Sequence, residues 1–92
     1  MSKPTSRNVL IINKLGLHAR AASKLAQLSQ KFTAKVIIEL DENRADANSI
    51  MGLMLLAGAQ GKTVKVIASG QDAEQALAEI CQLFSNKFHE AE

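Results

Sequence analysis

This 92-residue sequence contains only one cysteine and three aromatic residues. The single cysteine, Cys81, excludes an internal disulfide and any metal motif built on paired cysteines. We expect its thiol to be a small, partly buried hydrophobic group rather than a reactive one. Three phenylalanines occur without tryptophan or tyrosine, which predicts a mainly aliphatic core. The length is sufficient for one domain over residues 1–92, and we expect an ordered core at about residues 7–88.

The sequence also lacks long apolar runs, and it has no acidic residue in its N-terminal third. No apolar segment has the length of a membrane span and none precedes a cleavage site, so we expect a cytoplasmic protein. No acid occurs before Glu39, although the net charge is only +2. This basic opening third favours an acidic partner or a phosphate ligand, although a solvated helix face would have the same composition. Nucleic acid is disfavoured because no aromatic side chains accompany the basic ones. The basic residues of this third are Lys3, Arg7, Lys14, Arg20, Lys24, Lys31 and Lys35.

The stretch from Asn13 to Ala22 puts two cations where a helix is predicted to begin, against the usual preference for acids at that end. Gly16 permits a tight bend, and Leu17 can pack inward. The first-turn N–H groups, the helix dipole and the Arg20 guanidinium together suit a phosphate. The same positive surroundings disfavour imidazolium, so we expect a neutral His18 whose nitrogen lone pair can accept a phosphoryl group. The alternative is a surface histidine with an incidental capping role.

Apolar periodicity predicts the element order strand, helix, strand, strand, helix, strand, helix. After a flexible end at residues 1–6, we predict strands at 9–12, 35–40, 44–48 and 63–69. Predicted helices cover residues 19–32 and 49–57, and a third begins at Asp72 with an apolar stripe as far as Phe88. Ser49 should cap the second helix, with Gly58 past its end, and Asp72 should cap the third, with Gln75 in capping-box position. This order indicates an α+β fold with the helices on one face of an antiparallel sheet, which would also fit a ferredoxin-like small-molecule-binding module.

Two further segments of the sequence need interpretation. Ile50, Met51, Met54 and Leu55 make the second helix apolar nearly all round, which fits either a helix sunk into the core or an exposed docking surface. His89 lies in the polar tail at residues 87–92, which we expect to be frayed and exposed, so we assign it no role. We predict no metal site and no cofactor.

Two motifs, in this order, resemble the HPr family of phosphocarriers of the phosphoenolpyruvate-dependent phosphotransferase system. They are Leu15–Ala22 and Asn48–Leu55, followed by Gly-Ala-Gln-Gly at 58–61. The lead-in at residues 13–16 and the end at 83–88 resemble the NPr branch, which serves the nitrogen-related relay. The resemblance implies the open-faced sandwich of HPr, in which three helices cover one face of a four-stranded antiparallel sheet in the order βαββαβα.

The resemblance also implies roles for individual residues. His18 would accept a phosphoryl group on Nδ1 from an enzyme I-type phosphohistidine and pass it to a IIA-type protein, with Arg20 stabilising the phosphate. Partners would dock on the first two helices, and the protein would act as a monomer. Ser49 matches a regulatory phosphorylation site that is used where an HPr kinase is present. The residues expected at the docking surface are Leu17, Ile50, Met51 and Met54.

Two positions depart from the family pattern. Ala21 stands where the family usually has proline, and Leu15 stands where many members have a capping asparagine or serine. Loss of proline frees one backbone N–H but relaxes φ, so we expect a looser helix entrance. The competing function is a non-catalytic regulatory or small-molecule-binding module of similar fold. His18 and Arg20 together at a helix start argue against it.

Overall fold

A four-stranded antiparallel sheet is the framework of the computed structural model, which describes residues 3–90. The strands are arranged in the order β1-β4-β2-β3, so β4 and β2 are central and β1 and β3 are edges. Alternate residues of the two central strands are buried, as expected for a sheet that is covered on one face only. The strands are β1 Thr5–Leu10, β2 Lys35–Leu40, β3 Asn43–Asp46 and β4 Thr63–Ser69.

Three α-helices cover the buried face of the sheet, and a short 3-10 turn follows the last of them. This arrangement confirms the predicted α+β open-faced sandwich. The buried side chains are mostly aliphatic, with Phe84 and Phe88 in edge-to-face contact at a centroid distance of 4.9 Å. The helices are α1 Ala19–Ser29, α2 Ile50–Leu55 and α3 Ala73–Ser85, and the 3-10 turn is Lys87–His89.

The first strand is longer than its sequence suggested. We predicted a strand at 9–12 after a flexible end at 1–6, but β1 begins at Thr5; residues 1–2 lie outside the described part. Its backbone pairs with β4 from Thr5 opposite Ala68 to Leu10 opposite Thr63. This pairing extends over polar residues that a hydrophobic pattern cannot identify as strand. Ile11 follows the strand as a buried residue whose N–H donates to the Lys62 carbonyl at 2.9 Å.

The element ends differ from prediction by a few residues. Helix α1 ends at Ser29 rather than at 32, because tighter bonds close its last turn, such as the one from Phe32 N to Ser29 O at 3.2 Å. Helix α2 ends at Leu55 rather than at 57, and Ala57, not Gly58, has the left-handed φ of 55° after it. Strand β3 covers 43–46 rather than 44–48.

The start of α3 corrects the expectation that Asp72 caps this helix. Asp72 precedes the helix, but its side chain makes no capping bond, and Gln75 donates to Glu79 instead of completing a capping box. The Asp72 carboxylate accepts hydrogen bonds from Thr33 N at 3.0 Å, Thr33 Oγ1 at 3.1 Å and Ala34 N at 2.8 Å. Partial burial raises the pKa of Asp72, but these hydrogen bonds outweigh it, so the net pKa is lowered. Asp72 therefore joins the start of α3 to the loop before β2.

Cys81 lies in the core, where its side chain is 5% exposed. Burial raises the pKa of its thiol, and the charge and hydrogen bond of Arg7 offset this only in part. A protonated, covered thiol is a packing group, as we expected.

Candidate functional site

The loop before α1 is held in a tight turn that fixes the position of His18. Gly16 has a φ of +63°, and its N–H donates to the Asn13 carbonyl at 3.2 Å. The Asn13 side chain donates back to the Gly16 carbonyl at 2.9 Å, and Leu17 N–H donates to the Gly58 carbonyl at 2.8 Å. The loop is therefore tied both to itself and to the segment that follows α2.

Leu17 points into the core rather than toward solvent. Its side chain is only 5% exposed, and it lies so close to Gly58 that a Cβ added there would be 3.0 Å from Leu17 Cδ1. The inward packing that we expected is present, whereas the docking role that we also expected for Leu17 does not fit a buried side chain. Leu15, which we did not assign to docking, is 62% exposed.

His18 is the N-cap residue of α1, with extended backbone angles and no bond from its side chain to the helix amides. The first intrahelical bond runs from Ala22 N to the His18 carbonyl at 2.9 Å. The N–H groups of Ala19, Arg20 and Ala21 therefore have no acceptor within the helix, and they carry the positive end of its dipole. With its side chain 25% exposed, His18 is accessible beside a backbone anion site.

Arg20 lies in the same turn with an exposed side chain. Within residues 3–90 its side chain makes no ion pair or hydrogen bond, so the guanidinium is available to an anion that approaches the helix start. The structure thus brings together the two site residues that the sequence predicted.

The sequence did not reveal Glu90, whose carboxylate contacts His18. Glu90 Oε1 accepts a hydrogen bond from Asn13 Nδ2 at 3.0 Å, and Glu90 Oε2 accepts one from His18 Nε2. Partial burial raises the pKa of the Glu90 carboxyl. The hydrogen bonds from Asn13 and His18 and the electrostatic attraction to His18 and to the Lys24 ammonium lower it by more, so the net pKa is lowered. Glu90 is therefore an ionised carboxylate beside the imidazole.

The expectation of a frayed tail is wrong for residues 87–90; residues 91–92 lie outside the described part. Phe88 is fully buried against Phe84, and Lys24 Nζ donates to the Phe88 carbonyl at 2.6 Å. His89 is exposed. The burial of Phe88 agrees with the apolar stripe predicted for the third helix. No local pattern could have indicated the hydrogen bonds to this segment from Asn13, His18 and Lys24, because they join residues that are 64 to 77 positions apart.

A shallow hollow of about 270 Å³ lies beside His18. Apolar side chains of α2 are exposed next to the segment that forms one wall of this hollow: Ile50 is 42%, Met51 72%, Met54 45% and Leu55 77% exposed. Helix α2 is therefore not sunk into the core. Ser49 caps it as predicted, because its Oγ accepts a hydrogen bond from Gly52 N at 2.9 Å. The hollow is lined by Leu15, Leu17, His18, Ala57, Gly58 and Ala59.

Over the described residues, no helix has the length and apolar character needed to cross a membrane. The same residues contain no group of three or more histidine, cysteine, aspartate or glutamate side chains arranged to hold a metal ion.

Comparison with known proteins agrees with the site geometry. The family model described as "PTS HPr component phosphorylation site" matches residues 5–86. The phosphocarrier protein NPr of Shewanella violacea is 51% identical over 92% of this chain and 93% of its own length. The phosphocarrier protein HPr of Cupriavidus necator is 44% identical, with coverage of 94% and 97%. The crystal structure of HPr-C-His from Thermoanaerobacter tengcongensis superposes with a TM-score of 0.91 and 39% identity, over 96% of this chain and 99% of that one. The chain belongs to the HPr family and is a phosphocarrier of the phosphotransferase system.

Proposed function

We propose that His18 is the residue that carries the phosphoryl group, and that the three N–H groups at the start of α1 and the Arg20 guanidinium hold it. The observation that carries this proposal is the position of a part-exposed imidazole at a helix N-terminus with three unpaired amides. A nitrogen lone pair of His18 attacks phosphorus in line as the donor's bond to phosphorus breaks. Positioning and charge stabilisation supply most of the catalysis.

The test of the carrier residue is incubation with phosphoenolpyruvate and enzyme I, followed by intact mass measurement. The wild-type protein should gain one acid-labile phosphoryl group, and His18→Ala should gain none. His89→Ala is the matched control, because His89 is the other histidine in the sequence and its side chain is exposed. Labelling that persists in His18→Ala would overturn the assignment.

Arg20 contributes charge at the site rather than support to the fold. Its side chain is exposed, so Arg20→Ala should slow transfer while leaving the unfolding transition unchanged. Lys31→Ala is the matched control, since it removes an exposed positive charge beyond the other end of α1. Equal transfer rates in the two variants would remove Arg20 from the mechanism.

The exposed apolar side chains of α2 and Leu15 form the docking surface for an enzyme I-type donor and a IIA-type acceptor. The supporting observation is that Leu15 lines the hollow beside His18, and that the exposed side chains of α2 belong to the helix that leads into the wall of this hollow at Ala57. Met51→Ser should raise the KM for both partners with little change in kcat, because it removes apolar area from the docking surface. The fold should be unaffected, since Met51 is 72% exposed and contributes little to the core. Leu10→Ser is the control: Leu10 is also a large exposed apolar residue, but it lies on edge strand β1. An unchanged KM for Met51→Ser would place docking elsewhere.

Ser49 is a regulatory phosphorylation site where an HPr kinase is present. Negative charge at the start of α2 would lie beside Ile50 and Met51, which a partner must desolvate. Ser49→Asp should therefore keep the melting temperature and slow transfer from enzyme I. Asn43→Asp, which adds the same charge at the start of β3, should also keep the melting temperature but should leave the transfer rate unchanged. Unfolding of Ser49→Asp, or an unchanged transfer rate, would contradict this role.

The relay is the nitrogen-related one, and the protein acts as a cytoplasmic monomer. The branch assignment is supported by the higher identity to an NPr, 51%, than to an HPr, 44%. Enzyme I of the nitrogen-related branch should phosphorylate the protein with a higher kcat/KM than enzyme I of the sugar branch. The reverse preference would refute the branch, and sedimentation as a dimer at working concentration would refute the monomer.

A further inference from the structure

The amide of Asn13 is fully buried and can have only one orientation. Its Nδ2 donates both hydrogens, one to the Gly16 carbonyl at 2.9 Å and one to Glu90 Oε1 at 3.0 Å. If the amide were turned over, its oxygen would face two acceptors, and both bonds would be lost. The Asn13 Oδ1 has no partner within the described residues, so the orientation is determined by the two donated bonds. A buried donor in the entrance loop thus holds the carboxylate of a residue 77 positions away.

The backbone before Glu90 is bent through three successive residues in a left-handed conformation. Lys87, Phe88 and His89 have φ angles of 55°, 55° and 62°, a left-handed conformation that is unfavourable for residues with side chains. Burial of Phe88 and the hydrogen bond from Lys24 to the Phe88 carbonyl hold this bend. The bend turns the chain back over the start of α1, so that the Glu90 carboxylate faces His18, where its side chain is 9% exposed.

An ionised carboxylate can only accept a hydrogen bond, so the bond between His18 Nε2 and Glu90 Oε2 requires a proton on Nε2. In a neutral imidazole the other nitrogen, Nδ1, then has the free lone pair. We propose that Asn13 and Glu90 are positioning residues that keep the proton on His18 Nε2 and so make Nδ1 the nucleophile. This inference rests on the proposed role of His18 as phosphoryl carrier.

The transfer step balances with this proton arrangement. The Nδ1 lone pair forms a bond to phosphorus while the bond between phosphorus and the donor imidazole breaks, and the donor nitrogen keeps that electron pair. The proton on Nε2 stays in place throughout. The His18 ring gains positive charge as the new bond forms, and the Glu90 carboxylate compensates it. Return of the phosphoryl group to an acceptor reverses these changes.

The first test is nitrogen-15 NMR of the His18 imidazole in the unphosphorylated protein, above the pH range in which imidazolium is populated. The wild-type spectrum should show one tautomer with the proton on Nε2. In Glu90→Gln the amide can donate as well as accept, so both ring nitrogens should move toward the averaged shifts of exchanging tautomers. Glu74→Gln is the matched control, because Glu74 is an exposed carboxylate at the opposite end of α3. This readout needs no phosphoryl transfer, so its failure is distinct from failure of the carrier assignment.

The second test is kinetic and addresses the dependence on Asn13. Glu90→Gln should lower the rate of transfer to His18 on the order of tenfold, the lower end of the loss when the hydrogen-bond partner of a metal-ligating histidine is changed. Asn13→Ala should also slow transfer in the wild-type background but should add little in Glu90→Gln, since Asn13 acts through Glu90. If Asn13→Ala does not fold, the Glu90→Gln spectrum and rate alone decide the proposal. A wild-type tautomer and rate in Glu90→Gln would overturn it.

Discussion

Gly16→Ala should weaken the fold and disturb the site together, because the turn before α1 has no room for a side chain. A Cβ at Gly16 would lie 2.1 Å from the Gly58 carbonyl oxygen and 3.1 Å from Ala59 Cα. Both obstacles are backbone atoms, which cannot rotate away as a side chain could. The Gly58 carbonyl also accepts the hydrogen bond from Leu17 N, so relief of the clash must break the tie between the entrance loop and the segment after α2.

The magnitude has two parts. A left-handed φ costs an alanine about 1–2 kcal/mol relative to ordinary helical or extended backbone. Loss of the bond from Leu17 N to the Gly58 carbonyl adds about 0.5–1.5 kcal/mol, and more if either group is left buried without a partner. The free energy of unfolding should therefore fall by about 1.5–3.5 kcal/mol. For a domain of this size, each kcal/mol corresponds to a fall of about 4–8 °C in melting temperature.

Gly61→Ala is the matched control. Gly61 also has a positive φ, +92°, but nothing lies within 4 Å of a Cβ placed there. Urea denaturation should give a loss of about 1–2 kcal/mol for Gly61→Ala, from the backbone alone. Phosphoryl transfer to His18 should slow in Gly16→Ala and stay at the wild-type rate in Gly61→Ala. Equal destabilisation of the two variants, or normal transfer in Gly16→Ala, would refute the argument that the contact with Gly58 holds the site.

Three further predictions concern the cap, the loop and the thiol. Ser49→Ala should lower the free energy of unfolding, measured by urea denaturation, by about 1 kcal/mol, because the α2 cap is lost. The control is Asn48→Ala, because the Asn48 side chain makes no capping bond to α2. Because the pKa of Asp72 is lowered on folding, its stabilisation is present above the ordinary aspartate range near pH 4 and is lost as the pH falls through the lower folded value. The melting temperature of Asp72→Asn should therefore lie below that of the wild type at neutral pH, and the difference should shrink in acid; a constant difference would contradict the linkage. Cys81 should react slowly with a thiol reagent in the native state and rapidly in urea, and fast native labelling would contradict its burial.

The central strands and the start of α1 could be predicted from the sequence because their signals are local. The alternation in β2 and β4 gave Lys35–Leu40 and Thr63–Ser69 at the residues where the structure has them. The start of α1 at Ala19 follows from the bend at Gly16 and the good helix formers after it. Each of these signals is contained within about ten residues, so a pattern in the sequence is enough to detect it.

The parts that the sequence did not predict depend on partners far away along the chain. Strand β1 extends to Thr5 because β4 supplies its hydrogen bonds, and Asp72 leaves its own helix because Thr33 and Ala34 offer better donors. Glu90 reaches His18 only because Phe88 is buried and bends the chain. In each case a tertiary contact overrides the local preference, and no periodicity or capping rule encodes it.

The replacement of the usual proline by Ala21 illustrates how such contacts alter an expectation. Without the ring, φ at this position is less restricted, and we expected a looser helix entrance. Ala21 is fully buried, however, and the preceding Leu17 is held by its backbone bond to Gly58 and by the core. Packing of Leu17 and Ala21, on either side of His18, thus restrains the start of α1, as the pyrrolidine ring of a proline would do. Because the Ala21 N–H is present and has no acceptor within the helix, alanine at this position would give the proposed phosphate site a third backbone donor beside those of Ala19 and Arg20.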